Sequence, residues 1–194
     1  MTLAAADTCT TPTGSGRAGR RASDFVAVIG AWLLAIAAAA VLPLHNPPVA
    51  RVALFVHVVS MAVGFGAVVM TDVYGILWLL GFRTMQDIVS LAVAAHGVIS
   101  LGVGGLLASG IALRPDLSSP LARLKLGLVL ALMLNGVAAQ RMLHGFRHTL
   151  SSEVSGANVP WAAFQRMLAT AVVSQSTWWG AIAIGFLTNA DRHG

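Results

Sequence analysis

The sequence predicts an all-α integral membrane protein in which five transmembrane helices form an antiparallel bundle, with the N-terminus inside. Of the 194 residues, 57% are hydrophobic and only 10% are charged, whereas roughly a quarter of an ordinary soluble domain is charged. The apolar residues also fall into five long runs, and a membrane-spanning helix needs ~20 such residues at ~1.5 Å rise each. This composition excludes a disordered chain and most water-soluble enzymes.

The first two spans are limited by prolines and polar residues. The first covers residues 25–44 and is ended by Pro43 and the Pro47–Pro48 pair, because proline breaks a helix interior. It is longer than the ~7–15-residue apolar core of a secretory signal, so we interpret it as a retained helix. The second span covers residues 52–80 and contains one carboxylate, Asp72.

The remaining three spans are also marked by prolines. The third covers residues 87–113 and stops before Pro115. The fourth covers residues 121–140 and the fifth residues 161–187, and each follows a proline, which is favoured in the first turn of a helix. Most connections are short, which predicts that helices adjacent in sequence pack against each other.

Residues 1–23 are polar and are predicted to form a disordered cytoplasmic tail, with the transmembrane domain covering residues 24–190. The basic residues set the orientation, since cytoplasmic loops carry an excess of them. With the N-terminus inside, the inner side holds Arg17, Arg20, Arg21, Arg83, Arg141, Arg147 and Arg166. The outer side holds Arg51, Arg114, Arg123, Lys125 and Arg192. We therefore predict a multi-pass protein of the bacterial cytoplasmic (inner) membrane.

The net charge of +5 does not indicate nucleic acid, because the twelve basic residues are scattered between apolar runs. The predicted partners are the lipid bilayer and other protein subunits or further copies of this chain. Glycines are expected to bring helices together, since small residues let backbones approach closely in membranes. They are numerous in the second and third spans: Gly64, Gly66, Gly75, Gly97, Gly102, Gly104, Gly105 and Gly110. The Trp178–Trp179 pair lies deep in the fifth span and is expected to pack between helices.

Polar side chains inside the spans are the candidate functional residues, because each is costly in hydrocarbon unless paired or hydrated. A stripe on the second helix carries His57, Met61 and Asp72 within about 60° of one another. By their distance along the helices, His96, Asn135 and Gln175 could form one polar layer near the midplane. Asp72, Asn135 and Gln175 are therefore candidates for a proton or ion relay.

Histidines on adjacent transmembrane helices suggest ligation of a b-type haem. His57 and His96 differ in depth by ~19 Å, which is too far for the two axial ligands of one haem. Pairing His96 with Met70 or Met133 matches the depth better, so these three are the candidate haem ligands. Met133 points roughly opposite to Asn135 on its helix, and the two are not expected to face the same site.

Copper is the second candidate cofactor. His57 and Met61 are spaced by four residues, and imidazole and thioether groups suit copper. His144 and His148 have the same spacing at the inner end of the fourth helix, where a basic interfacial segment is the simpler interpretation. No nucleophile–base motif or zinc-binding motif is present. The sequence therefore gives no indication of an enzyme that acts on its own.

Several short features resemble small bacterial polytopic membrane proteins of uncharacterised function. They are Thr71–Asp72 after a glycine-rich stretch, Ser109–Gly110, Lys125 with Asn135–Gly136, and Ser174 with Trp178. The layout over residues 53–187 also resembles copper-resistance protein D and cytochrome b561-like four-helix cores. The first resemblance implies copper uptake and the second implies haem-mediated electron transfer. The chain departs from the cytochrome pattern because it lacks four suitably placed histidines.

These observations lead to three functional hypotheses. The first is a membrane subunit with a buried polar site for electron or proton transfer in a redox assembly, with His96 as ligand or relay and Asp72 as inner acceptor. The second is a small transporter for copper or another cation that uses His57, Met61 and Asp72. The third is a structural subunit that holds partners through its glycine faces.

Overall fold

The chain folds into five helices in the computed structural model, which describes residues 15–42, 46–113, 116–152 and 159–190. The helices are α1 (Ser15–Val41), α2 (Pro47–Leu79), α3 (Met85–Leu113), α4 (Pro120–Ser152) and α5 (Trp161–Ala190). Within these residues there is no strand. All five helices are long and apolar enough to cross a membrane, which confirms the predicted fold class.

Three helix limits differ from the predicted ones by five residues or more. α1 begins at Ser15, inside the stretch that the sequence predicts to be a disordered tail; residues 1–14 lie outside the described part of the chain. α2 begins at Pro47. Proline has no backbone N–H, but the N–H groups of the first helical turn have no acceptor within the helix, so proline is tolerated there. α4 continues to Ser152, since nothing after Gln140 breaks a helix even where its residues become polar.

The turn between α2 and α3 is fixed by two local motifs. Gly81 adopts a positive φ of 79°, and the Phe82 and Gly81 amides donate to the carbonyls of Leu77 and Trp78, as in a Schellman motif. Thr84 then caps α3: its hydroxyl oxygen accepts from the Asp87 amide at 3.2 Å, and its own amide and hydroxyl both donate to Asp87 Oδ2 at 2.9 Å. We call the end of the bundle that carries this turn the Arg83 end and the opposite one the Asp116 end.

Helices α2, α3, α4 and α5 form a closed ring of four. α2 packs mainly against α3 and α4 against α5, while α3 meets α4 and α2 touches α5 more lightly. Side-chain contacts show that neighbouring members of the ring are antiparallel: His57 near the start of α2 bonds Ser109 near the end of α3, and Trp78 near the end of α2 meets Phe164 near the start of α5.

α1 lies outside this ring, against α3 and α4. Near the Arg83 end, Arg141 forms an ion pair of 3.0 Å with Asp24 and lies 4.3 Å from the Phe25 ring centroid. Trp32 donates its indole N–H to the Leu126 carbonyl at 3.2 Å. Within the described residues α1 makes no contact with α2, so the expectation that sequence neighbours always pack together is wrong for this pair.

The tightest packing lies where α2 crosses α3. A Cβ atom built on Gly102 would lie 2.7 Å from the Gly64 Cα, and one on Gly105 would lie 2.2 Å from the Ser60 hydroxyl oxygen. Gly66, Gly75, Gly97, Gly104 and Gly110 have nothing within 4 Å of such an atom. Within one copy of the chain, the expected packing role is therefore seen for Gly64, Gly102 and Gly105, whereas the other five make no close helix–helix contact.

Trp178 fills the centre of the ring. It is 2% exposed and packs with Val68 and Leu132, and its ring also meets Gly64. Its neighbour Trp179 is 59% exposed but meets the Phe65 ring of α2 edge-on at 5.2 Å between centroids, so both tryptophans contact another helix and only Trp178 is buried. The two lie about 100° apart around one helix, and a single face cannot bury both.

Candidate functional site

A cavity of about 600 Å³ lies inside the bundle toward the Arg83 end. Residues from all five helices line it, and most of the lining is apolar. The polar exceptions include Thr71, Asp72, His96, Ser100, Asn135 and Gln140. Its volume is within the range of about 300–1,000 Å³ that is typical of small-molecule and cofactor sites.

Asp72 brings the one carboxylate to the cavity lining. It lies on α2, and its Oδ2 accepts a hydrogen bond from the Gln175 amide of α5. Gln175 itself does not line the cavity. The bond crosses the most lightly packed interface of the ring, so it both orients the carboxyl group and links the two helices. The Asp72 Oδ1 atom has no hydrogen-bond donor among the described residues.

Asn135 contributes an amide from α4. Its Nδ2 donates one hydrogen bond, of 3.0 Å, to the Thr170 carbonyl of α5. An amide nitrogen has two hydrogens and the amide oxygen two lone pairs, so hydrogen-bonding capacity remains on the cavity side. Met133 lines the same cavity. The expectation that Met133 and Asn135 cannot face one site is therefore wrong, because the cavity is wide enough to reach around the flank of α4.

His96 lies on α3, and its ring faces the cavity. The Gln140 side chain of α4 is within hydrogen-bonding reach of this ring. Four residues further along α4, the exposed His144 ring bonds the Gln140 backbone carbonyl at 2.8 Å. A carbonyl only accepts, so His144 donates from Nδ1. The His148 side chain lies outside the described part of the structure.

The structure thus brings Asp72, His96, Met133 and Asn135 to one cavity, and Gln175 joins them through Asp72. Met70 does not line the cavity and is 52% exposed on the outside of the bundle. Of the two histidine–methionine pairs that the sequence suggests for haem, only His96 with Met133 shares a cavity.

His57 and Met61, the candidate copper ligands, lie apart from the cavity. His57 Nδ1 is 2.9 Å from the Ser109 hydroxyl, which donates to the Gly105 carbonyl at 2.6 Å. Because that hydroxyl has one hydrogen, the His57 ring is the donor to Ser109. Met61 packs against the cluster around Trp178. In the parts of the chain that the structure describes, no three His, Cys, Asp or Glu side chains are grouped to hold a metal ion.

Two hydrogen-bonding partners of the candidate residues were not predicted from the sequence, Ser109 for His57 and Gln140 for His96. Ser109 is the partner of His57, and a signal for it exists: His57 lies 26 residues before Arg83 and Ser109 lies 26 residues after it. In an antiparallel helical hairpin such positions lie at the same level. Gln140 ends the predicted fourth span, but in the structure its side chain lies next to His96 in the cavity lining.

Comparison with known proteins finds no family model, no curated protein and no solved structure that matches the chain. The candidate site therefore rests on its own geometry: an intramembrane cavity with a carboxylate, an imidazole and two amides in a mostly apolar lining.

Proposed function

We propose that the chain is an integral membrane subunit that transfers protons and electrons within a redox assembly of a bacterial cytoplasmic membrane. The observation that supports this function is that Asp72, His96 and Asn135, from three different helices, line the same cavity. Ionisable side chains inside a membrane are costly, and those that persist there face cavities and commonly serve proton or ion pathways.

Asp72 is the proton acceptor of this proposal. It is the one carboxylate in the lining, and the hydrogen bond from Gln175 holds the group toward α5 while Oδ1 has no donor among the described residues. With the Arg83 end on the cytoplasmic side, as the distribution of basic residues predicts, Asp72 would exchange protons with the cytoplasm.

His96 is the second proton-handling group. Imidazole can donate and accept a proton near neutral pH, and the ring shares the cavity with Asp72 and lies next to Gln140. A proton on His96 would therefore meet a carboxylate across the same cavity.

The redox group of the assembly can be tested spectroscopically. A b-type haem, as expected from the sequence, would be held by His96 and Met133 and would supply one-electron chemistry. A Soret band in the purified protein that disappears in His96→Ala and persists in His57→Ala would establish this ligand. Absence of a Soret band in protein produced with added haem would exclude haem b as the redox group.

Proton transfer is tested in proteoliposomes that contain a pH-sensitive dye and carry an imposed potassium diffusion potential. Asp72→Asn keeps the size of the side chain and an oxygen that accepts from Gln175, so the fold is retained. We expect proton uptake in Asp72→Asn to fall at least tenfold relative to the wild type.

Asp87→Asn is the matched control, because Asp87 lies at the Arg83 end and only caps α3. It should retain wild-type proton uptake. Equal uptake rates in the wild type and in Asp72→Asn would overturn the proposed function.

A further inference from the structure

We propose that the cavity near the Arg83 end is a binding site for a membrane quinone. This inference rests on the proposed function and deepens it by naming the chemical class of the redox partner. A quinone has a flat apolar ring with two carbonyl oxygens that accept hydrogen bonds, and it is dissolved in the bilayer that surrounds the helices.

The shape and composition of the cavity fit such a molecule. The lining is mostly apolar, with a few polar groups, which is the usual pattern of sites that bind apolar ligands in a fixed orientation. The cavity is not fully enclosed, and it lies within helices that are long enough to cross a membrane. A ligand dissolved in that membrane is therefore a candidate occupant.

The α3–α4 side of the cavity supplies hydrogen-bond donors. Asn135 uses one amide hydrogen on the Thr170 carbonyl and keeps a second one. His96 and Gln140 lie side by side on this flank, and the backbone carbonyl of Gln140, not its side chain, bonds His144. These donors match the carbonyl oxygens of the oxidised ring.

The α2 side supplies an acceptor. Asp72 Oδ2 is bonded to Gln175, and Oδ1 can accept a hydrogen bond from a hydroxyl group of the reduced ring. The lining therefore contains donors for the quinone on α3 and α4 and an acceptor for the hydroquinone on α2, around one mostly apolar space.

The same residues suit a haem less well. Haem b requires axial ligands, and the cavity lining contains one imidazole, His96, with the thioether of Met133 as the other possible ligand. Most of the polar lining consists of amides and hydroxyls, which hydrogen-bond a ligand and do not coordinate iron.

Binding is tested by titrating the detergent-purified full chain with ubiquinone-1, and in a second series with menadione, while tryptophan fluorescence is recorded. Trp78 lines the cavity and should be quenched on binding. Gly104 also lines the cavity and has nothing within 4 Å of an added Cβ. Gly104→Phe should fill the space and weaken binding at least tenfold without removing any hydrogen bond.

Gly97→Phe is the matched control, because Gly97 lies on the same helix, has open space around it and does not line the cavity. It should bind as the wild type does. A second variant, Gln140→Leu, removes a donor side chain and should weaken binding, whereas Gln165→Leu, on an exposed position of α5 away from the cavity, should not.

Three results would overturn the quinone site. They are no saturable quenching by either quinone, equal affinity of Gly104→Phe and Gly97→Phe, or a haem that already occupies the cavity through His96. These measurements need no proton flux. A failed proton-uptake test with intact quinone binding would therefore count against the proposed function alone.

Discussion

Gly64 of α2 and Gly102 of α3 face each other with their backbones in contact, and a methyl group on Gly102 would lie 2.7 Å from the Gly64 Cα. Gly64 lies 19 residues before Arg83 and Gly102 lies 19 residues after it. The two helices thus meet at the level that the short turn between them dictates. Close approach of this kind is how helices associate in lipid, where the hydrophobic effect does not drive them together.

Gly102→Ala should therefore destabilise the bundle, because the added methyl group meets backbone atoms that cannot rotate away. Overpacking of this kind costs about 1–3 kcal/mol. The measurement is thermal unfolding in detergent micelles, followed by helical circular dichroism. Gly97→Ala, on the same helix but with open space around it, should unfold at the wild-type temperature or slightly above. Equal melting temperatures for the two variants would contradict the tight crossing.

Gln175→Leu should leave the Asp72 carboxyl group without its partner and loosen α2 from α5. A hydrogen bond between membrane helices contributes about 1 kcal/mol, and the α2 and α5 backbones approach each other closely at few positions, with aromatic contacts such as Trp78–Phe164 making up much of the rest. The expected result is a lower resistance to unfolding by added sodium dodecyl sulfate. Gln165→Leu, at an exposed position of the same helix, should leave that resistance unchanged, and a similar loss in both variants would argue against the Asp72–Gln175 bond.

The two adjacent tryptophans should respond very differently to truncation. Trp178→Ala removes a side chain that is 2% exposed, and large aromatic deletions in cores cost about 3–5 kcal/mol. Trp179→Ala removes a side chain that is 59% exposed and loses mainly the edge contact with Phe65, 5.2 Å between centroids. Unfolding of the two variants under the same conditions measures the difference, and a larger effect at Trp179 would invalidate the described core.

Gly81→Ala tests the turn between α2 and α3. Nothing lies within 4 Å of an added methyl group there, but the φ of +79° is unfavourable for a side chain. The expected cost is about 1 kcal/mol, without the steric component of Gly102→Ala. Gly81→Asn should be milder, since asparagine tolerates this conformation better than alanine. Stability of Gly81→Ala at the wild-type level would show that the turn adopts another conformation.

The number and position of the helices could be predicted because apolar length and prolines are local properties of the sequence. The helix limits were less predictable. Pro47 can end one helix or begin the next, and the structure shows that it begins α2. Likewise, α4 extends to Ser152, because a change from apolar to polar residues along the chain does not by itself end a helix.

The sequence identifies individual residues of the candidate site, but it does not show which of their side chains bond to each other. Asp72 and His96 were recognised because ionisable groups are rare in apolar spans. That Gln175 pairs with Asp72, and not with a layer of His96 and Asn135, depends on how α5 is rotated against α2. Helix rotation is set by packing around Trp178 and Gly64, which no single helix reveals.

The position of α1 outside the ring has a consequence for the order of folding. Neighbouring segments α2 and α3, and likewise α4 and α5, form the two largest interfaces and can assemble as soon as each pair is synthesised. Among the described residues α1 packs on α3 and α4, so its docking surface is complete only when α4 has been inserted. α1 is synthesised before α2–α5, yet its docking is completed late, through contacts that span about a hundred residues, such as Asp24 with Arg141.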